Sequence, residues 1–162
     1  MSGVEPSVNL NIPIILRDTR EKPGYGFNFI RCDTCGGTEE VALEFGDYAL
    51  KDFPSLIIVE RKQDVGELCS NLGVNRERFE RELQRMIDAQ VRFKYVIIGD
   101  YYSSISRQKF SKMHPNAIFE SIISLEIKYG VHFVFAGTHE NAHRLTRSLL
   151  LKAYRYKLEG II

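Results

Sequence analysis

The stretch Gly46-Asp47-Tyr48-Ala49-Leu50-Lys51-Asp52-Phe53-Pro54-Ser55-Leu56-Ile57-Ile58-Val59-Glu60-Arg61-Lys62 carries the reading of the fold. Leu56 to Glu60 is a short aliphatic, β-branched run of strand length. It closes on Glu60-Arg61-Lys62, and because strand side chains alternate, Glu60 and Lys62 fall on one face. Upstream, Val41 to Phe45 is a strand candidate running into Gly46-Asp47-Tyr48, and Ile12 to Arg17 is another, ending in Arg17-Asp18-Thr19-Arg20-Glu21. Three strands therefore deliver acids near their ends. If these strands are neighbours, Asp18, Asp47 and Glu60 converge beside Lys62. Carboxylates at such range repel unless a cation lies between them, which calls for a hard divalent metal, most simply Mg2+. A metal and a lysine beside a bound water are what hydrolysis of a phosphodiester needs.

Two further strand candidates follow, Tyr95 to Gly99 and Val131 to Ala136, with segments of helical period between and after them. Arg76 to Gln90 carries Phe79, Leu83, Met86 and Ile87 as one apolar stripe. A second helix starts near Pro115, carries Ile118, Ile122, Leu125 and Tyr129, and stops at Gly130. A third follows Thr138 as N-cap. Three closely spaced strands, then alternating helices and strands, predict an α/β fold: an antiparallel meander continued by parallel crossover units, giving a central mixed β-sheet flanked by helices. Pro23 to Glu40 and Asp100 to Asn116 have no period and read as loops; the second holds Tyr101, Tyr102, Arg107, Lys109 and Lys112.

The 162 residues suit one domain, read as a tail over 1–11 and a folded unit over 12–162. Lys and Arg number 22 against 21 Asp and Glu, so a bulk basic field does not select the partner and any anion site is local. No apolar run is long enough to span a bilayer, and the start lacks the basic and apolar regions of a signal peptide. Cys32, Cys35 and Cys69 are an odd set that fits a reducing compartment. The expectation is a soluble intracellular protein without a membrane partner.

Asp47, twelve intervening residues and then Glu60-x-Lys62 is the spacing of the PD-(D/E)xK, restriction-endonuclease-like nuclease core. Taken with Asp18-x-Arg20, Val59-Glu60-Arg61-Lys62 and Glu67-Leu68-Cys69-Ser70-Asn71-Leu72, the chain closely resembles the nuclease domain of XPF-type (ERCC4-domain) structure-specific endonucleases. Arg76 to Leu83, Pro115-Asn116-Ala117-Ile118 and Val131 to Gly137 resemble its compact bacterial and phage members. The resemblance implies DNA endonuclease activity with Mg2+ or Mn2+, near junctions of duplex and single strand. By position it implies Asp47 and Glu60 as metal ligands, Asp18 as an auxiliary acid and Lys62 as the water-positioning base. Arg20 and Arg61 would contact DNA phosphate or organise the acids, and Arg107, Lys109 and Lys112 are further candidate DNA contacts. The same core could also serve as a noncatalytic DNA-binding scaffold, or act on RNA or on DNA ends.

The family usually places an acid just after the Glu-Arg-Lys triplet, where this chain has Gly66 between Asp64 and Glu67. Val65, Leu68, Cys69 and Leu72 form an apolar helix face from which Glu67 points away, whereas Asp64 reads as the N-cap. Glu67 is therefore the expected accessory catalytic acid. The family also pairs nuclease domains, and Ser148 to Ile162, with Leu149, Leu150, Leu151, Tyr154, Tyr156, Leu158, Ile161 and Ile162, holds more apolar surface than one helix stripe needs; a homodimer is expected.

Two motifs point elsewhere. His139-Glu140-Asn141-Ala142-His143 spells the zincin pattern, but no suitable third ligand follows, and the segment reads as a packing helix. Cys32-Asp33-Thr34-Cys35 looks like half a zinc knuckle, yet Cys69 is the only other thiol, so a loop with free thiols is favoured over zinc at Cys32/Cys35. The Arg/Glu alternation from Arg76 to Arg85 reads as a salt-bridged scaffold surface.

Overall fold

The computed structural model describes residues 12–21, 24–109 and 111–162; the expected tail, residues 1–11, and the loop position Pro23 lie outside them. One six-stranded sheet organises the chain: β1 (Ile15–Asp18), β2 (Thr38–Val41), β3 (Tyr48–Leu50), β4 (Ile57–Lys62), β5 (Phe93–Ile98) and β6 (Val131–Phe135), in the spatial order β2-β1-β3-β4-β5-β6. β1 pairs antiparallel with β3, and β3 with β4. β4, β5 and β6 are parallel. Helices α1 (Val65–Leu72) and α2 (Arg76–Asp88) join β4 to β5, α3 (Pro115–Tyr129) leads into β6, and α4 (His139–Leu158) closes the order. The mixed sheet and the crossover half are as expected.

The meander needs correction. Val41 to Phe45 is not a strand: β2 ends at Val41 and lies at the sheet edge, parallel to β1. Residues 42–47 form a turn, for which Gly46 supplies the reason. Its φ is +63°, and a Cβ there would come within 2.5 Å of the Ile58 side chain, so only glycine lets the chain double back this close to β4. Asp47 thus enters β3 from its start, donating its N–H to Val59 O at 2.9 Å and accepting the Asp18 N–H at 2.8 Å.

Alternation divides the sheet's side chains between two cores. Ala49, Ile58, Val96 and Ile98 face α1, α2 and α3. Ile15, Tyr48, Leu50, Ile57, Val59 and Ile97 face α4 and the buried Phe27 and Phe29. Phe79, Leu83 and Met86 anchor α2, while Ile87, expected on the same stripe, is 38% exposed near the helix end. Pro115 begins α3, left-handed Gly130 ends it, and the Thr138 hydroxyl caps α4 by accepting the Asn141 N–H. Among the described residues, no helix is long and apolar enough to cross a membrane.

Candidate active site

Asp18, Asp47, Glu60 and Lys62 share the sheet face turned toward α1 and α2. On β1 this follows from Asp18 standing opposite in alternation to Ile15 and Arg17; on β4, Glu60 and Lys62 follow Ile58 at steps of two residues. Asp47 is fixed by the Arg61 N–H, which donates to its Oδ2 at 2.7 Å. Lys62 Nζ donates to Glu60 Oε1 at 2.9 Å. A cleft of about 170 Å3 beside the last two is lined by Glu60, Lys62, Asn71, Asn75, Arg78, Phe79 and Glu82.

Burial, the Glu60 charge and the Glu21 charge push the Asp47 carboxyl well above the usual carboxylate range. Burial, with Glu82 and Glu21, also raises Glu60, although Lys62 opposes this. Two crowded carboxylates that resist ionisation together are a donor set suited to a hard divalent cation, which would favour the charged form of both. Lys62 tends the other way. Burial alone would lower its pKa, but the Glu60 charge and hydrogen bond, aided by Asp47 and Glu67, outweigh it and hold the ammonium above its ordinary value. Its proton is kept, so Lys62 suits orienting a water and balancing charge better than accepting a proton. Among the described residues no group of three or more His, Cys, Asp or Glu side chains is placed to hold a metal ion.

Asp18 is committed elsewhere. Its carboxylate accepts Arg20 Nε at 2.8 Å and the Leu43 N–H at 2.8 Å, while Arg20 Nη2 reaches Leu43 O at 2.8 Å. Burial would raise Asp18, but the Arg20 and Leu43 hydrogen bonds prevail and its pKa is lowered. Asp18 and Arg20 together clamp the turn that presents Asp47. Arg61 lies on the opposite sheet face. Its Nε and Nη2 donate to Glu21 at 2.9 and 2.7 Å, its guanidinium stands 5.5 Å from the Phe27 ring centroid, and both partners of the ion pair are buried. The guanidinium is thus turned away from the face that carries Glu60 and Lys62.

Glu67 takes part in the cap of α1: its carboxylate accepts the Gln63 N–H at 3.0 Å, and Asp64 accepts the Glu67 N–H at 2.8 Å; its charge also helps to raise Lys62. Arg107, Lys109 and Lys112 are exposed on the 101–114 segment, which includes a short 3-10 turn (Tyr102–Ser106). It leaves β5 just past Ile98, the residue in register with Lys62, and so starts at the same end of the parallel strands as Glu60 and Lys62.

Several residues escaped the sequence reading. Glu21 holds Arg61 and accepts the Tyr48 hydroxyl at 2.9 Å. Glu82 accepts the Gly46 N–H at 3.3 Å, linking α2 to the turn before Asp47. Asn75, Arg78, Phe79 and Glu82 follow the i, i+3, i+4, i+7 spacing of one helix face, a signal that could have found them. The scaffold reading of α2 still holds for its other faces, where Arg76 pairs with Glu80 and Arg81 with Glu77. The zincin pattern is structural: His139 packs 5.1 Å from the Phe27 ring, and His143 stacks on Phe29 at 4.9 Å.

The ERCC4 domain family model matches residues 17–149. Among solved structures, the chain is similar to "XPF from Aeropyrum pernix", at 16% identity and a TM-score of 0.59, covering 90% of this chain and 61% of that one. It is similar also to "XPF from Aeropyrum pernix, complex with DNA", at 18% identity and a TM-score of 0.64, covering 88% of this chain and 66% of that one. The chain thus spans somewhat under two thirds of those structures, and the likeness is one of fold. No curated protein matches the chain.

Proposed function

The chain belongs to the ERCC4 domain family, and on that footing we propose that it is a metal-dependent DNA endonuclease acting at branched or flap-like DNA. The observation that carries this reading is the meeting of two buried carboxylates, Asp47 and Glu60, both raised above the usual range, with a protonated Lys62 on one sheet face, Glu60 and Lys62 lining a cleft. DNA as the substrate is supported by the likeness to an XPF structure solved in complex with DNA.

Asp47 and Glu60 would hold Mg2+ or Mn2+, which when bound polarises a phosphoryl oxygen and lowers the pKa of a coordinated water. Lys62 orients the attacking water and offsets charge that develops on the phosphoryl oxygens. The Arg61 N–H fixes the Asp47 carboxylate, and Arg20 and Asp18 hold the turn that carries it. Hydrolysis forms one bond from the water oxygen to phosphorus and breaks one from phosphorus to a sugar oxygen; the attacking water gives up a proton to solvent, and the leaving sugar oxygen takes one from solvent. Arg107, Lys109 and Lys112 would bind backbone phosphate beside the cleft. The second copy of a homodimer would dock on the C-terminal apolar surface, where Ile57, Phe93, Tyr95, Leu149, Tyr156 and Ile162 line a groove beside exposed Leu158 and Ile161.

Incubation with labelled flap, fork, four-way junction, single-stranded and duplex DNA, with and without Mn2+, tests the proposal. Metal-dependent cuts at junctions support it. Binding without cleavage would make the chain a scaffold, and preference for RNA or for ends would redirect the substrate.

A further inference from the structure

The Cys32-Asp33-Thr34-Cys35 turn takes no part in the site above. Cys32 donates its N–H to Cys35 O at 2.8 Å, and Cys35 donates back to Cys32 O at 3.4 Å, so the two residues form an isolated antiparallel bridge. Residues exchanging both bonds stand about 5.5 Å apart at Cα, within the roughly 4.4–6.8 Å that a disulfide spans. The pair is also anchored: Gly36 donates to Pro13 O at 2.8 Å, and Gly37 O accepts the Ile15 N–H at 3.0 Å, which ties the turn to β1.

The two thiols differ in the way a reacting pair requires. Cys32 is exposed and Cys35 is buried. Arg147 of α4 donates from Nη2 to Cys32 Sγ at 3.4 Å and to Thr34 Oγ1 at 3.0 Å, and the Thr34 hydroxyl lies 3.4 Å from the same sulfur. Hydrogen bonds from the Thr34 side chain and backbone, then from the Cys35 backbone and Arg147, bring the Cys32 thiol down to about 7. A thiolate supported in this manner is the nucleophilic form.

We propose that Cys32 and Cys35 form a thiol-disulfide exchange site whose substrate is a small-molecule disulfide, with Cys32 attacking and Cys35 resolving. The Cys32 thiolate bonds to one sulfur of the disulfide, whose S–S bond breaks and releases one thiolate that takes a proton from water. Cys35 then loses its proton and bonds to Cys32 Sγ, expelling the second small thiol. The chain is oxidised by two electrons and the small disulfide is reduced to two thiols. A structural zinc reading has less support. It needs four ligands, no cluster of three or more is placed for a metal among the described residues, and Arg147 sets a cation at the sulfur.

The whole reduced protein is treated with glutathione disulfide at neutral pH, quenched in acid and mapped by peptide mass. The wild type is expected to close a Cys32–Cys35 bond. Cys35→Ala should stop at one glutathione adduct on Cys32, Cys32→Ser should take none, and Arg147→Ala should slow the first adduct several-fold. An adduct on Cys35 or Cys69 ahead of Cys32, an unchanged wild type, or a wild-type Cys32 adduct that never closes overturns the proposal. So does equimolar zinc binding to the reduced chain that both cysteine variants abolish.

Discussion

The backbone of Arg61 and its side chain serve opposite faces of the sheet: its N–H holds Asp47 at 2.7 Å, while its guanidinium holds Glu21. One residue of β4 thereby couples the candidate metal ligand to a buried ion pair on the far face.

Asp47→Ala and Glu60→Ala are expected to abolish cleavage. Either change removes a proposed metal ligand and a buried carboxyl that burial keeps from ionising, and loss of Glu60 also removes a charge that raises Asp47, so the melting temperature should hold or rise. Cleavage assays beside thermal melts check both halves, and wild-type turnover in either variant would remove the metal-site proposal.

Glu21→Ala leaves Arg61 buried without its ion-pair partner, in a site where Arg61 Nη1 already has no hydrogen-bond partner among the described residues. Stripping one member of a buried pair costs about 3–5 kcal/mol. Urea denaturation should show a loss of that order, and recovery of stability when Arg61 is replaced by Met in the same chain would identify the stranded charge as the cause.

Asp18 has a lower pKa folded than unfolded, so its contribution is present above the unfolded value and fades as pH falls through the folded one. Asp18→Asn should lower stability at neutral pH by about 1–3 kcal/mol, the worth of hydrogen bonds to a charged group. The gap from wild type should narrow below about pH 4. Urea midpoints measured across the acid range test this, and a constant gap would refute it.

Glu67→Gln keeps an oxygen for the Gln63 N–H but removes a charge that helps hold the Lys62 proton. Turnover is expected to fall about tenfold or more, with little change in melting. Asp64→Ala deletes the cap of α1 and should cost about 1 kcal/mol of stability while sparing most activity. The reverse pattern would make Asp64 the accessory acid.

Light scattering at tens of micromolar should report a dimer. A monomeric mass there would count against the C-terminal surface, and loss of the dimer on Ile161→Glu would support it.

The crossover half of the fold was legible because its signals are local: Pro115, Gly130 and Thr138 punctuate helices whose apolar residues recur at helical period. The first half was less so. Val41 to Phe45 has strand composition, but a left-handed Gly46 pressed against Ile58 and the clamp from Asp18 to Leu43 override that propensity, and both are tertiary contacts. The shared face of Glu60 and Lys62 follows from alternation alone, whereas bringing Asp18 and Asp47 onto it needs the pairing of β1, β3 and β4. The separation of Arg61 from them follows from the same rule, though its partner Glu21 lies 40 residues away and no spacing announces it.

β4 lies inside the sheet, bonded to β3 on one side and β5 on the other, with helices over both faces. Amides so placed exchange with solvent only when the whole domain opens. The Arg61 amide that holds Asp47 should therefore rank among the last protons to be replaced by deuterium, and residues 38–41 at the sheet edge among the first. Heat or denaturant should then extinguish activity together with the fold, without an inactive native intermediate.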